Sequence, residues 1–239
     1  SAAQLIGYLS EITEGELQTE AFEGNYQGEN VGKSGVEKAF ERYLHGRRGT
    51  RQVEVDAVGR RIRLLNELLP ISGRNLWLTI DIALQGVAES CLQDKVGAIV
   101  AIDPNNGAVL ALASQPTFDQ ERFVRGLSKS EWQQLSRDPE HPLLNRAFGA
   151  AYPPGSTYKP FVALGALQEG LITSQTGVFC PGYYRFADRN YRCWRDHGHG
   201  AMEVERAIIQ SCDVYFYNCG LRLGVDRIAQ YAKELGLGR

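Results

Sequence analysis

Up to about position 75 the spacing of apolar and polar residues predicts only small, irregular elements. From position 76 a new series of strands and helices begins. Before that point the spacing predicts a short helix over 36–44 and two half-buried strands, at 51–56 and 61–64. Residues 70–73, Pro-Ile-Ser-Gly, are typical of a linker. The sequence therefore predicts a small N-terminal domain over 1–75 and a second domain over 76–239.

The second pattern predicts helices packed on an antiparallel sheet, a layered α/β (α+β) domain. Two apolar runs, 97–102 and 108–113, flank Asp103-Pro-Asn-Asn-Gly107, which is a strong hairpin signal. Ser128 and Glu131 form a capping box at the start of one helix. The remaining predicted elements are a strand at 76–80 and helices at 82–92, 156–169, 202–210, 213–223 and 225–236.

Composition bears on two questions, whether the chain binds nucleic acid and whether it crosses a membrane. The net charge is -2, so a nucleic-acid partner is not expected, because a phosphate-binding surface needs a basic excess. No run approaches the roughly 20 apolar residues that span a bilayer, and no signal peptide precedes the first element. We expect that an upstream membrane anchor was left out of the sequence.

The segment Tyr152-Pro-Pro-Gly-Ser-Thr-Tyr-Lys-Pro160 carries the clearest chemical signal. Its prolines and glycine exclude a helix before Ser156, and the apolar spacing after it requires one. Ser156 is therefore expected at a helix start, with Lys159 one turn later on the same face. A lysine beside a serine can accept its proton when burial favours the neutral amine. The short pattern alone also fits a serine N-cap followed by an exposed lysine.

Further motifs make the pattern specific. Ser211-Cys212-Asp213 lies well downstream of Ser156, and serine acyltransferases that recognise penicillin combine Ser-x-x-Lys with a second motif of this kind. Together with the 97–113 hairpin and Leu143-Leu-Asn-Arg-Ala147, the chain resembles the transpeptidase domain of the penicillin-binding proteins. Residues 32–38, Leu44-His-Gly46 and 53–60 are similar to the pedestal domain of class B members, and Gly198-His-Gly200 resembles their cell-elongation subgroup.

The resemblance assigns a role to each motif residue. It implies that Ser156 is the acylated nucleophile, Lys159 its base and Ser211 a proton relay, with Asp213 in place of the usual asparagine. The family's third motif, Lys-Ser/Thr-Gly, does not occur after Ser211. The sequence therefore predicts a penicillin-recognising serine transpeptidase-like domain that is incomplete, so that this chain itself is inactive.

The resemblance also implies an activity and a set of partners. It implies a peptidoglycan D,D-transpeptidase of cell elongation that acts on stem peptides and is acylated by β-lactams. A RodA-type glycosyltransferase and an MreC-type scaffold are the implied protein partners. The implied location is periplasmic, with an N-terminal helix in the inner membrane.

Four of the five cysteines lie between positions 180 and 219, which points to a local structure rather than a spread disulfide framework. Three thiolates and one imidazole are enough for a closed structural zinc site, and the candidate ligands are Cys180, Cys193, His199 and Cys212. Two disulfides or free buried thiols are the alternatives. The resemblance favours zinc, because related members hold a metal here with mixed Asp, His and Cys ligands. The remaining candidates are expected at the surface (Asp196, His197) or in the core (Cys219).

Two other functional classes remain open at this point. A β-lactamase or β-lactam sensor shares Ser-x-x-Lys, although the pedestal-like segment 1–75 argues against small lactamases. A non-enzymatic, zinc-stapled scaffold fragment is the other alternative, and the absent third motif favours it for this chain.

Overall fold

The computed structural model describes residues 2–238, and its backbone contacts divide the chain into two units, Ser1–Ala151 and Tyr152–Arg239. The boundary predicted between residues 75 and 76 lies inside the first unit and stays a prediction. Among the described residues, no helix combines the length and the apolar character needed to cross a bilayer.

Over residues 2–151 the first unit is built from short helices and three antiparallel strand pairs, β1–β2, β3–β4 and β5–β6. Its helices are α1 Ala3–Ile6, α2 Glu14–Leu17, α3 Gly35–Ala39, α4 Glu41–Leu44, α5 Ile82–Cys91, α6 Glu121–Val124, α7 Lys129–Arg137 and α8 Arg146–Gly149, with a 3₁₀ turn at Glu20–Phe22. Its strands are β1 Leu9–Glu11, β2 Asn30–Gly32, β3 Thr50–Val55, β4 Arg61–Leu68, β5 Gly97–Ile102 and β6 Val109–Gln115.

The predicted hairpin at 97–113 is confirmed as β5–β6, and the capping box of Ser128 and Glu131 is present at the start of α7. The helix predicted over 36–44 is interrupted at Phe40 and forms α3 and α4. The strand predicted at 76–80 is wrong. Its described bonds to β6 do not form a strand ladder: the Thr79 hydroxyl donates to Val109 O at 2.6 Å, and directly after the segment Asp81 N donates to Leu110 O at 2.9 Å. The Asp81 side chain then caps α5.

Gln85 joins α5 to β6 through the backbone of one strand residue. Its side chain is fully buried, its amide nitrogen donates to Leu112 O at 3.0 Å, and its amide oxygen accepts from Leu112 N at 2.7 Å. The side-chain amide thus satisfies both backbone groups of Leu112, as a neighbouring strand would do.

We expect Gln85→Met to lower the free energy of unfolding by about 2–4 kcal/mol, because it leaves a buried donor and a buried acceptor of Leu112 without partners. Urea denaturation of the chain measures this change. The control is Gln133→Met in α7, where the side chain is exposed and the change should stay within about 0.5 kcal/mol. Equal unfolding midpoints for the two variants would contradict the proposed role of the Gln85 amide.

Over residues 152–238 the second unit contains four α-helices and two strand pairs, β7–β10 and β8–β9. Its elements are α9 Lys159–Gln168, β7 Val178–Cys180, β8 Tyr183–Phe186, β9 Arg189–Arg192, β10 Gly200–Met202, α10 Val204–Ile209, α11 Asp213–Leu223 and α12 Val225–Glu234. Its core groups apolar side chains of α9 and α11 with Met202 and the buried cysteines. At Gly165 in α9 a Cβ atom would lie 2.8 Å from the Tyr231 ring, so the absence of a side chain permits the close packing of α9 on α12.

The helix predicted at 156–169 starts later than expected. Gly155–Tyr158 forms a 3₁₀ turn, and the α-helix begins at Lys159. The cause is Pro160, which has no N–H to donate to the Ser156 carbonyl. Lys159 N donates to that carbonyl instead, which closes the tighter turn. The helices predicted at 202–210, 213–223 and 225–236 are confirmed as α10, α11 and α12.

Candidate active site and metal cluster

The Lys159 side chain joins the first turn of α9 to the segment before α11. Its ammonium donates to the Ser211 hydroxyl at 2.9 Å, to Ser211 O at 2.7 Å and to Asp213 Oδ1 at 2.6 Å. Only 12% of this side chain is exposed, so these contacts are shielded from solvent. Two motifs that are distant in the sequence therefore meet at a single ammonium group.

Ser156 lies in the exposed 3₁₀ turn that immediately precedes α9. Its hydroxyl has no hydrogen bond to any other residue in the described range 2–238, and the Lys159 ammonium is occupied by Ser211 and Asp213. The structure therefore brings Lys159, Ser211 and Asp213 together, and it leaves the Ser156 hydroxyl, three residues before Lys159, exposed to solvent. The role of Ser156 as nucleophile stays a prediction.

Ser211 occupies the left-handed region of backbone conformation, with φ at 50°. A residue other than glycine is uncommon there, and holding one there costs about 1–3 kcal/mol. The conformation turns the chain sharply between α10 and α11, and Cys212 N donates to Ala207 O at 2.9 Å within this turn. The turn presents both the hydroxyl and the carbonyl of Ser211 to Lys159.

Asp213 uses its two carboxylate oxygens for two different partners. Oδ1 accepts from Lys159, and Oδ2 accepts from the Trp194 backbone N at 3.0 Å. Burial raises the pKa of this carboxyl, but the hydrogen bonds from Lys159 and Trp194 outweigh burial and hold the pKa below its usual value. An acceptor-only group suits both donors, which an asparagine in one orientation would not.

The four residues of the predicted zinc site converge. The ligand atoms of Cys180, Cys193, His199 and Cys212 all lie within 4.8 Å of one another, and the three cysteines are buried. His199 Nδ1 is 3.6 Å from Cys180 Sγ and 3.4 Å from Cys193 Sγ. Around a tetrahedral zinc with Zn–S of about 2.3 Å and Zn–N of about 2.0–2.1 Å, the distance between sulfur and nitrogen is about 3.5 Å.

Burial and neighbouring groups shift the protonation of this cluster. Burial, together with the neighbouring sulfurs of Cys180 and Cys193, raises the pKa of the Cys212 thiol to about 12. Burial, and then the charge of Arg195, lowers the pKa of His199, which favours the neutral imidazole that a metal requires. All four of these cysteine and histidine residues fit a zinc ion, and the cysteines of the described chain are free thiols.

Two glycines bring the ligands together. Gly182 and Gly198 both have positive φ, and a Cβ on either would lie within 2.2 Å of a backbone oxygen of the facing segment. This close approach allows His199 N to donate to Cys180 O at 3.1 Å. The close approach of these two segments, beside the β7–β10 pair that contains Cys180, therefore brings the ligands together.

Sequence reasoning missed Trp194. Its backbone N holds Asp213, and its indole Nε1 donates to Gln210 O at 3.0 Å. The adjacent position of Cys193 was a sequence signal that Trp194 lies near Cys212. The expectations that His197 and Asp196 lie on the surface and that Cys219 lies in the core are both confirmed.

Comparison with known families identifies the class of protein. Residues 97–239 match the penicillin binding protein transpeptidase domain, and residues 1–78 match the penicillin-binding protein dimerisation domain. The chain belongs to the penicillin-binding proteins. The resemblance drawn from the motifs is confirmed, and so is the mixed α/β fold.

The similar proteins within this family narrow the class further. The chain is 40% identical over 99% of its length to the peptidoglycan D,D-transpeptidase MrdA of Salmonella typhimurium, and 39% identical over 98% to that of Escherichia coli. It spans 39% and 38% of those two proteins. Its fold is similar to that of PBP2 of Helicobacter pylori in complex with MreC, with a TM-score of 0.87, 34% identity, and coverage of 100% of this chain and 44% of the other.

Proposed function

We propose that the protein containing this chain is a peptidoglycan D,D-transpeptidase of cell elongation. The observation that supports the proposal is the contact of Lys159 with the Ser211 hydroxyl at 2.9 Å, because Lys159 follows Ser156, whose hydroxyl is open, by three residues. The match to MrdA proteins supports the same activity. The match of residues 1–78 to the dimerisation domain supports it over the β-lactamase alternative.

The proposed chemistry has two halves. The first step needs Lys159 as the neutral amine. The Ser156 oxygen attacks the carbonyl carbon of the terminal D-Ala–D-Ala bond of one stem peptide, and its proton moves to the free electron pair of the Lys159 amine. Ser211, hydrogen-bonded to Lys159, passes a proton to the departing amine, which leaves as D-alanine. The amine of a second stem peptide then attacks the acyl-serine, forms the crosslink and returns the proton to Ser156.

A β-lactam follows the first half only. Its strained amide acylates Ser156, but the departing amine stays tethered to the acyl group. The tethered amine keeps the acceptor amine away, so the acyl-serine persists.

The second part of the proposal is a structural zinc ion held by Cys180, Cys193, His199 and Cys212. The ion would cross-link the loop between α9 and α11 and would supply no chemistry to the reaction. The support for it is the donor set and the distances from His199 Nδ1 to the two sulfurs. Because Cys212 stands between Ser211 and Asp213, the ion would also hold the backbone that carries the relay serine.

The proposal extends to partners and location. Relatives are described in a complex with MreC and in a peptidoglycan synthase complex that coordinates polymerization and crosslinking. On that basis we propose an MreC-type scaffold and a RodA-type glycosyltransferase as partners. We propose a periplasmic location with an inner-membrane anchor for the whole protein.

A labelled penicillin tests the function on the full-length protein. We expect one covalent label per chain that persists for hours, because a transpeptidase does not hydrolyse the acyl-serine efficiently. Rapid loss of label with release of opened penicillin would instead identify a β-lactamase. If the folded full-length protein takes no label, the result would support the non-enzymatic scaffold function instead.

A further inference from the structure

Trp194 makes two hydrogen bonds to the turn that carries the relay serine. Its backbone N donates to Asp213 Oδ2 at 3.0 Å, and its indole Nε1 donates to Gln210 O at 3.0 Å. Gln210 and Asp213 are the residues on either side of Ser211-Cys212. A single residue of the loop before β10 therefore holds both ends of this turn.

Burial does not explain the position of Trp194, since 64% of the residue is exposed. Its ring meets the His199 ring edge-on at 5.3 Å, and the indole N–H points to the Gln210 carbonyl rather than to solvent. Gln210 is the C-cap residue directly after α10, so its carbonyl has no helical donor. The indole supplies the donor that this helix end lacks.

The turn needs such a restraint because Ser211 is not glycine. With φ at 50°, its backbone lies in a region that a serine leaves unless its surroundings hold it there. Relaxation of the turn would move the Ser211 hydroxyl, whose distance to the Lys159 ammonium is 2.9 Å. Fixing the carbonyl before Ser211 and the carboxylate after it prevents that movement.

We propose that Trp194 is a positioning residue that sets the Ser211 hydroxyl against Lys159 through its indole N–H. This role rests on the proposed transpeptidase function, in which Ser211 relays a proton. Trp194 donates no hydrogen bond to Ser156, to Lys159 or to the ligand atoms of the cluster within residues 2–238. Its effect on the reaction is exerted through Gln210 and Asp213.

The test is Trp194→Phe, which removes the indole N–H and keeps an aromatic ring and the backbone donor to Asp213. The matched control is Trp132→Phe in α7, where 45% of the residue is exposed and the indole has no hydrogen bond within residues 2–238. The first measurement is hydrogen exchange of the Ser211 and Cys212 amides, which donate to Ile208 O and Ala207 O. We expect exchange to become about 3- to 10-fold faster, the range for loss of one hydrogen bond.

The second measurement is penicillin acylation of the full-length variants. We expect the acylation rate constant to fall about 3- to 10-fold while the dissociation constant of penicillin before acylation stays unchanged. Zinc content and melting temperature should equal those of Trp132→Phe, which shows that the fold and the cluster are intact. A merely structural tryptophan would change the melting temperature and leave the acylation rate constant alone.

Two results would overturn the proposal. Exchange no faster than in Trp132→Phe would show that the indole does not hold the turn. Faster exchange with an unchanged acylation rate constant would show that the turn does not set the reaction. If the unsubstituted full-length protein takes no label, the transpeptidase function fails, and the exchange measurement alone decides whether Trp194 holds the turn.

Discussion

Replacing Ser156 by alanine should abolish covalent labelling of the full-length protein by penicillin. The hydroxyl of Ser156 lies in an exposed turn directly before α9, and no other serine holds this place relative to Lys159. A covalent acyl-enzyme cannot form without the nucleophilic oxygen. The expected effect is therefore complete loss, measured as fluorescence of the labelled band after electrophoresis.

Ser174→Ala serves as the control, because Ser174 is also exposed in the second unit and belongs to neither motif. It should keep full labelling. Lys159→Ala should keep the nucleophile and slow acylation by about 10²–10⁴-fold, the usual contribution of a general base. Label that survives in Ser156→Ala would place the nucleophile at another residue.

Replacing Cys193 by serine should remove the zinc and destabilise the second unit. The segment that carries Cys180, Cys193 and His199 contains strands of only three or four residues, and many of the side chains in these strands are exposed. The segment therefore has few apolar contacts of its own. A structural zinc ion can supply on the order of 10 kcal/mol of binding energy in small sites, and loss of one ligand forfeits several kcal/mol of it. At about 2–4 °C per kcal/mol, we expect the melting temperature to fall by roughly 10 °C.

Metal analysis and thermal unfolding measure these effects, with near one zinc per chain expected in the unsubstituted protein and near none in Cys193→Ser or Cys212→Ser. Cys91→Ser is the control, since Cys91 is exposed in α5 and outside the cluster. Penicillin acylation should weaken in the two cluster variants, because Cys212 adjoins both Ser211 and Asp213. Full acylation in metal-free Cys193→Ser would show that the cluster does not influence acylation at the active site.

The sequence predicted the elements whose local signals agree with their packing. The 97–113 hairpin has turn residues between two apolar runs, and α11 follows an unbroken apolar pattern, so both were placed correctly. The strand predicted at 76–80 is wrong because apolar alternation alone does not specify a partner strand, and the described bonds of this segment to β6 form no ladder. α9 begins at Lys159 instead of the predicted Ser156 because Pro160 has no N–H to donate to the Ser156 carbonyl.

The residues of the candidate site could be predicted from the sequence, but the hydrogen bonds between distant parts of the chain could not. Ser-x-x-Lys and Ser-x-Asp are visible as motifs, and the four metal-ligating residues are visible as a cluster of uncommon types. The link from Asp213 to Trp194 was not, because a backbone N–H donor can come from any residue. Long-range pairing of this kind depends on the path of the loop, which two close backbone approaches at Gly182 and Gly198 determine.

The left-handed backbone of Ser211 places stability and activity in opposition at one position. Glycine would adopt φ at 50° without steric penalty, so Ser211→Gly would relieve a backbone cost of about 1–3 kcal/mol. The same change would delete the hydroxyl that Lys159 contacts. Selection for thermal stability alone would therefore favour a glycine that removes the hydroxyl. In a library of variants at this position, a screen for stability should enrich glycine, and a screen for penicillin labelling should exclude it.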